Sequence, residues 1–203
     1  REQILGVHSK AVKLCPDIDL NKIARGTPGF TGADLANLIN EAALFASKED
    51  KKFVEVDDFE KARDKLLVGP ERKTMILTDD EKKRTSYHES GHSLLNLLLL
   101  KSEPFHKVTI VPRGRALGVS FSLPERDRYT VSKSEMLAQI KVALGGMISE
   151  SIVFDEMTTG ASNDLEKATQ TARKMVCRYG MSQLGPMVFG EDDDHPYLGR
   201  DIM

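Results

Sequence analysis

The chain is 203 residues long, 40% hydrophobic and 30% charged, with a net charge of −2 at neutral pH. That is enough apolar material for a core without covalent staples, and the near-balanced charge removes the polycationic footprint of a nucleic-acid-binding protein, so no nucleic acid is expected as a partner. Its two cysteines, Cys15 and Cys177, stand far apart and form no C-x-x-C pair, so thiolate zinc ligation is unsupported and a reducing compartment is expected.

Residues 1 to about 68 carry helical periodicity throughout, which predicts a small helical bundle. Ile4, Leu5, Val12 and Leu14 mark its first helix. The breaker-rich Gly26-Thr27-Pro28-Gly29-Phe30 precedes a later helix, where Thr31 supplies an N-cap hydroxyl and Asp34 an acid three residues on. Leu35, Leu38, Ile39, Ala42 and Phe45 follow at helical spacing. A further helix runs from Asp57-Asp58 through Phe59, Ala62, Leu66 and Leu67 and stops at Gly69-Pro70. With the charged Glu71-Arg72-Lys73 after it, this is the expected boundary between residues 1–70 and 71–203.

Thr78-Asp79-Asp80-Glu81 reads as a capping box with acids at the positive end of a new helix. Inside that helix stands His88-Glu89-Ser90-Gly91-His92. At about 100° per residue, His92 lies about 40° round from His88 and Glu89 completes an arc of about 100°, so the three side chains face one spot. Two neutral imidazoles bind a cation such as Zn²⁺, and the adjacent carboxylate can take a proton from water beside it. Chance placement of five histidines in a chain of this length produces such a pentad in roughly one sequence per hundred. Leu95 and Leu99 continue the same face, which predicts that it runs on into a hydrophobic core. The apolar run from Leu94 to Leu100 is broken by Asn96 and falls far short of the roughly 20 residues that span a bilayer. No membrane helix is expected in this chain.

Period two then appears at Val108-Thr109-Ile110-Val111 and from Gly118 to Leu123, around the turn Pro112-Arg113-Gly114-Arg115. Helical pattern returns from Ser134 to about Phe154 and from Ser162 to Tyr179, and Glu191-Asp192-Asp193-Asp194 reads as an acidic loop. The expected fold is mainly α with a small β-sheet.

A catalytic zinc takes three protein ligands and water. A third histidine six residues after His92 would fall at Leu98, so the metzincin extension is absent. Glu103, His106, Glu150, Asp155, Glu156 and Asp164 remain, and spacing does not choose among them. Asp164 opens a helix after a turn, where an acid also serves simply to oppose the helix dipole.

Four motifs carry a family resemblance. They are Pro28-Gly29-Phe30-Thr31-Gly32-Ala33-Asp34-Leu35, His88-Glu89-Ser90-Gly91-His92, Pro112-Arg113-Gly114-Arg115-Ala116-Leu117-Gly118 and Thr159-Gly160-Ala161-Ser162-Asn163-Asp164. In this order they closely resemble the FtsH family of membrane-anchored, ATP-dependent zinc proteases. The resemblance implies a zinc ion held by His88, His92 and Asp164, with Glu89 as general base of peptide hydrolysis. Ser90 replaces the usual alanine at a position pointing away from the metal. The resemblance also implies that residues 1–70 are the helical lid of an AAA+ ATPase, with Ile4, His8, Gly32 and Ala33 around the adenine of ATP, which the full-length protein binds with Mg²⁺. A small Gly-Ala pair at a helix N-terminus would let a flat ring approach the backbone. Unfolded or membrane proteins as substrates, a homo-hexamer, and membrane anchoring only through segments outside this chain follow from the same likeness, with this region on the cytoplasmic or organelle-interior side. The stretch Gly118 to Leu123 would offer substrate a strand edge.

No G-x-x-x-x-G-K-[ST] loop occurs, so the chain reads as an excised piece that does not hydrolyse ATP alone. A non-catalytic lid and assembly module is the alternative from another class, and loss of Glu89 or of a ligand would have marked it. A stand-alone zinc hydrolase of small molecules leaves the lid-like half unexplained.

Overall fold

Three of the long helices begin with the same local device. In the computed structural model, which describes residues 1–114, 116–122 and 130–189, the hydroxyls of Thr31, Thr78 and Ser132 accept the backbone N–H three residues on. The acids at those positions, Asp34, Glu81 and Glu135, accept the cap N–H in return. Two of the donors that a helix start leaves unpaired are thereby satisfied. The described elements are α1 (Glu2–His8), a 3-10 turn (Ser9–Ala11), α2 (Leu20–Arg25), α3 (Gly32–Lys48), α4 (Val56–Val68), α5 (Asp79–Leu98), β1 (Phe105–Thr109), β2 (Val119–Ser122), α6 (Lys133–Phe154), a second 3-10 turn (Thr159–Ala161) and α7 (Ser162–Cys177).

Helices α1 to α4 close around Leu5, Leu35, Leu38, Ile39, Ala42, Ala46, Val54, Phe59 and Ala62. The first helix is shorter than its periodicity suggested. It stops at His8, Val12 is extended, and Leu14 forms a parallel bridge with Val54. Pro16 disfavours helical backbone at Cys15, and the Lys13 carbonyl and Cys15 N–H are taken by Val54 at 2.8 and 2.9 Å.

In the second half α5 crosses α6 at Gly91 and Gly145, where a Cβ on Gly145 would lie 2.7 Å from the Gly91 carbonyl oxygen and one on Gly91 would collide with the Gly145 carbonyl. Only glycine permits this approach. Helix α7 packs on α6 as well. The two strands pair antiparallel from Phe105 opposite Ser122 to Thr109 opposite Val119, with an irregularity between Phe105 and Lys107. The first strand therefore starts three residues earlier than expected and releases Ile110 and Val111, because pairing with β2 sets the register. Leu123, Arg115 and the acidic stretch 191–194 lie outside the described residues.

Two expectations about apolar segments change. The buried face of α5 beyond His92 is formed by Ser93 and Asn96, while Leu95 and Leu99 are half-buried and Leu94, Leu97 and Leu98 are exposed. The site face thus meets a polar strand surface rather than a hydrophobic core. Helix α6, unlike the leucine run, is long and apolar enough to cross a membrane. Here its buried glycines pack on α5, so one face of that apolar helix is occupied by the crossing.

The crossing predicts an asymmetry among glycines. Gly145→Ala overpacks the contact and costs ~1–3 kcal/mol, lowering the thermal midpoint by roughly 2–10 °C. Gly6→Ala in α1, where an added Cβ meets nothing within 4 Å, leaves the midpoint unchanged or raises it. Thermal melts followed by circular dichroism compare the two, and equal effects would contradict the packing described.

Candidate metal centre

Helix α5 presents His88 and His92 one turn apart, with their rings edge to face at a centroid distance of 4.7 Å. Their Nδ1 atoms point away from each other into α6. His92 Nδ1 lies 2.7 Å from the Val142 carbonyl oxygen, and His88 Nδ1 lies 2.6 Å from Glu150 Oε1. A carbonyl oxygen only accepts, so His92 carries its proton on Nδ1, and the Glu150 carboxylate draws the His88 proton to Nδ1 in the same way. Thr158 Oγ1 donates to the other oxygen of buried Glu150 at 2.9 Å, which holds that carboxylate in place. Gly146 makes room: a Cβ there would stand about 2.5 Å from both imidazoles.

The two Nε2 atoms are left with lone pairs facing inward, 3.0 Å apart. Asp164, in the first turn of α7, brings Oδ2 to 3.1 Å from His88 Nε2 and 3.2 Å from His92 Nε2. Three electron-rich atoms therefore form a nearly equilateral triangle, among the described residues the single such grouping of His, Cys, Asp and Glu side chains. Like lone pairs repel at this distance unless protons or a cation lie between them. A tetrahedral ion with bonds of about 2.0–2.1 Å spaces its donors about 3.3 Å apart, so the donor set fits zinc in type and in size.

Electrostatics follow this geometry. Burial disfavours charge on His88, but Asp164 and Glu150 outweigh it and raise its pKa. Burial pushes Asp164 upward, yet the His88 and His92 imidazoles beside it hold its carboxyl well below the usual range. Glu89 is buried beside them, and desolvation raises its pKa despite the histidines and the Ser120 N–H that favour its anion. The centre opens into a cleft of about 1380 Å³ whose walls include Glu89, Leu117 to Ser120 and Asn163.

The other residues weighed as third ligands lie elsewhere. His106 in β1 contacts Arg63 Nη2 at 2.6 Å, Glu156 pairs with Arg84 at 2.8 Å, and Asp155 is the left-handed cap ending α6. Glu103 lines the cleft, and Glu150 orients His88 from behind. Ile4, His8, Gly32 and Ala33 are all exposed, on α1 and at the start of α3, two helices that pack together. Sequence reasoning missed Val142, Gly146 and Thr158. The one available signal was Gly145-Gly146 inside a helical pattern, where paired glycines are costly unless something packs there.

A helix that turns two imidazole lone pairs and a buried carboxylate towards an open cleft defines the class of metal-dependent hydrolases. The chain belongs to peptidase family M41, whose family model matches residues 75–203, and the AAA+ lid domain model matches residues 17–61. It is 54% identical over 202 residues to the ATP-dependent zinc metalloprotease FtsH of Acidobacterium capsulatum, covering 100% of this chain and 32% of that protein. It is 55% identical over 200 residues to the protein of that name from Myxococcus xanthus, covering 98% of this chain and 31% of the relative. The corresponding Rubrobacter xylanophilus protein is 52% identical over 203 residues, 100% and 31% of the two chains. The chain thus spans about a third of the length of the curated relatives it matches.

The raised His88 pKa has a pH consequence in the metal-free protein. Its proton stabilises the fold fully below the ordinary value of about 6.5, and that contribution is lost as pH rises through the higher folded-state value. Glu89, also raised, acts in the same direction, whereas Asp164 loses its contribution only on acidification below the ordinary carboxylate range. The thermal midpoint of the metal-free chain therefore falls as pH is raised from about 6.5 through neutrality. The slope shrinks in His88→Ala or on adding a divalent ion. A midpoint independent of pH in this window would contradict the site electrostatics.

Proposed function

We propose that this chain is the lid and peptidase part of an ATP-dependent zinc metalloprotease, with residues 1–70 as the lid and 71–203 as the peptidase domain. The observation that carries the reading is the convergence of His88 Nε2, His92 Nε2 and Asp164 Oδ2 within 3.2 Å of one another beside the buried carboxylate of Glu89. These three side chains would hold Zn²⁺. The bound ion would supply Lewis acidity, bringing a water towards neutral pKa and polarising a peptide carbonyl.

The chain's own residues supply the remaining chemistry. Glu89 takes the proton of the attacking water and then delivers it to the departing amine, and its raised pKa keeps the carboxyl closer to the operating pH for both transfers. Glu150 and the Val142 carbonyl keep both imidazoles in the tautomer that leaves Nε2 free. Gly118, where a Cβ would meet the Glu89 side chain at 2.8 Å, lets β2 lie against the general base. An extended substrate adding to the outer edge of β2 would pass along the cleft and be read by its backbone, which suits degradation of unfolded polypeptides of many sequences.

The names of the relatives and the lid match support ATP dependence for the longer protein. In this reading Ile4, His8, Gly32 and Ala33 contact adenine, Mg²⁺ accompanies the nucleotide, six copies assemble, and segments outside this chain anchor the protein to a membrane. Substrates are then unfolded or membrane proteins, reached from the cytoplasmic or organelle-interior side.

In the full-length protein, Glu89→Gln retains zinc but loses about 10²–10⁴-fold in peptide hydrolysis, because an amide cannot accept the proton. His88→Ala, His92→Ala and Asp164→Ala each lose stoichiometric zinc. Near wild-type hydrolysis in Glu89→Gln, or full zinc in Asp164→Ala, would remove those residues from these roles. The lid reading has its own test. Unfolding a packed substrate costs ~5–15 kcal/mol, which the peptidase site has no means to supply. A bulky residue at Gly32 or Ala33 therefore impairs degradation of folded proteins more than cleavage of a short unstructured peptide, and equal losses in an intact assembly would contradict the lid assignment.

A further inference from the structure

Beyond the metal centre, the buried face of α5 meets β2 through two polar pairs, preceded by a close carbon contact at Gly118 just before the strand. Thr85 and the Glu89 side chain flank Gly118, where a Cβ would come within 2.8 Å of each. Ser93 Oγ donates to the Glu89 carbonyl at 2.8 Å and lies 3.1 Å from Ser120 Oγ. Asn96 Nδ2 then donates to Ser122 Oγ, and Ser102 Oγ closes the end by donating to the Asn96 carbonyl at 2.5 Å. Alternate residues of the strand thus meet successive turns of the helix. A strand advances about 6.7 Å in two residues and a helix about 4.5 Å in three or 6.0 Å in four, a mismatch of ~2 Å or less that the Ser93 and Asn96 side chains span over this short length.

Packing alone does not ask for these groups. Ser93 and Asn96 are buried, and apolar side chains of similar size would fill the space without the cost of desolvating a hydroxyl and an amide. Hydrogen bonds add direction and short range: apolar surfaces tolerate a slide of one element along another, whereas these pairs break when β2 shifts lengthwise on α5. The strand held in this way also borders the cleft, which Ser120 lines together with Glu89.

We propose that Ser93 and Asn96 are positioning residues that set the register of β2 along α5, and hence which peptide bond of an added substrate strand stands beside Glu89. The inference rests on reading β2 as the substrate edge. Without the polar pairs the strand still packs, but its backbone samples several positions relative to the metal centre. The scissile bond is then held less often in reach of the attacking water.

The test uses the full-length protease and one unstructured peptide of fixed sequence, with products identified by mass spectrometry. The double variants Ser93→Ala with Ser120→Ala, and Asn96→Leu with Ser122→Ala, each remove donor and acceptor together, so no orphaned polar group remains. Both keep stoichiometric zinc, spread cleavage to bonds one or two residues from the wild-type position, and lower kcat roughly tenfold while changing KM less. Ser93→Thr keeps the hydroxyl and yields the wild-type products. The apolar Asn96→Leu, Ser122→Ala pair also keeps the wild-type thermal midpoint, so it decides the matter if the serine variant fails to assemble. Unchanged products and kcat at full zinc content would overturn the proposal. A wild-type protein that cuts no peptide, or cuts it equally well with Glu89→Gln, would instead refute the reading of the site beneath it.

Discussion

The centre depends on two hydrogen bonds that α6 accepts from α5. Once the Val142 carbonyl and the Glu150 carboxylate hold the Nδ1 protons of His92 and His88, both Nε2 lone pairs have to face inward, and Asp164 adds a third electron-rich atom to the same point. Repulsion among three such atoms favours either a captured proton or a cation. The raised His88 pKa and the depressed Asp164 pKa express the first solution. A zinc ion held there, as proposed, would replace the protons by the same electrostatic logic and so link metal binding to proton release in one equilibrium.

Those hydrogen bonds require α5 and α6 to lie unusually close, and the glycines meet that requirement. Gly91 and Gly145 remove the Cβ atoms at the crossing, and Gly146 removes the one that would strike the imidazoles. The opposite side of α5 is set by β2 through Gly118, Ser93 and Asn96, so the site helix is clasped between a glycine contact and a polar contact. The sheet is tied in turn to the first helical group. Lys107 of β1 pairs with Asp64 of α4 at 2.8 Å, His106 contacts Arg63, and the Gly114 N–H donates to the Pro70 carbonyl at 3.2 Å. A continuous chain of packed contacts thus links α4 to the cleft through the hairpin.

Local chemistry was legible in the sequence wherever neighbours in the chain decide it. The capping residues at Thr31 and Thr78, the α4 stop at Gly69 and the His88-Glu89-His92 face all rest on interactions within four residues. Contacts between distant segments were not legible in this way. Asp164 stands 76 residues from His88, and family resemblance rather than spacing singled it out. Leu14 follows a helical rhythm but pairs with Val54, and Leu95 and Leu99 suggested a greasy face where Ser120 and Ser122 in fact arrive from another element. Glu150 illustrates the limit well: its residue type made it a plausible ligand, and only the packing of α6 places it behind the ring instead of in front.

Zinc-edge X-ray absorption on the zinc-loaded protein addresses the central claim most directly. The account predicts one tightly bound ion with two imidazole nitrogens and one carboxylate among its ligands at about 2.0–2.1 Å, no sulfur, and a spectrum that changes when Asp164 is replaced by asparagine. A spectrum with a single imidazole, with sulfur, or with an environment indifferent to Asp164 would contradict it.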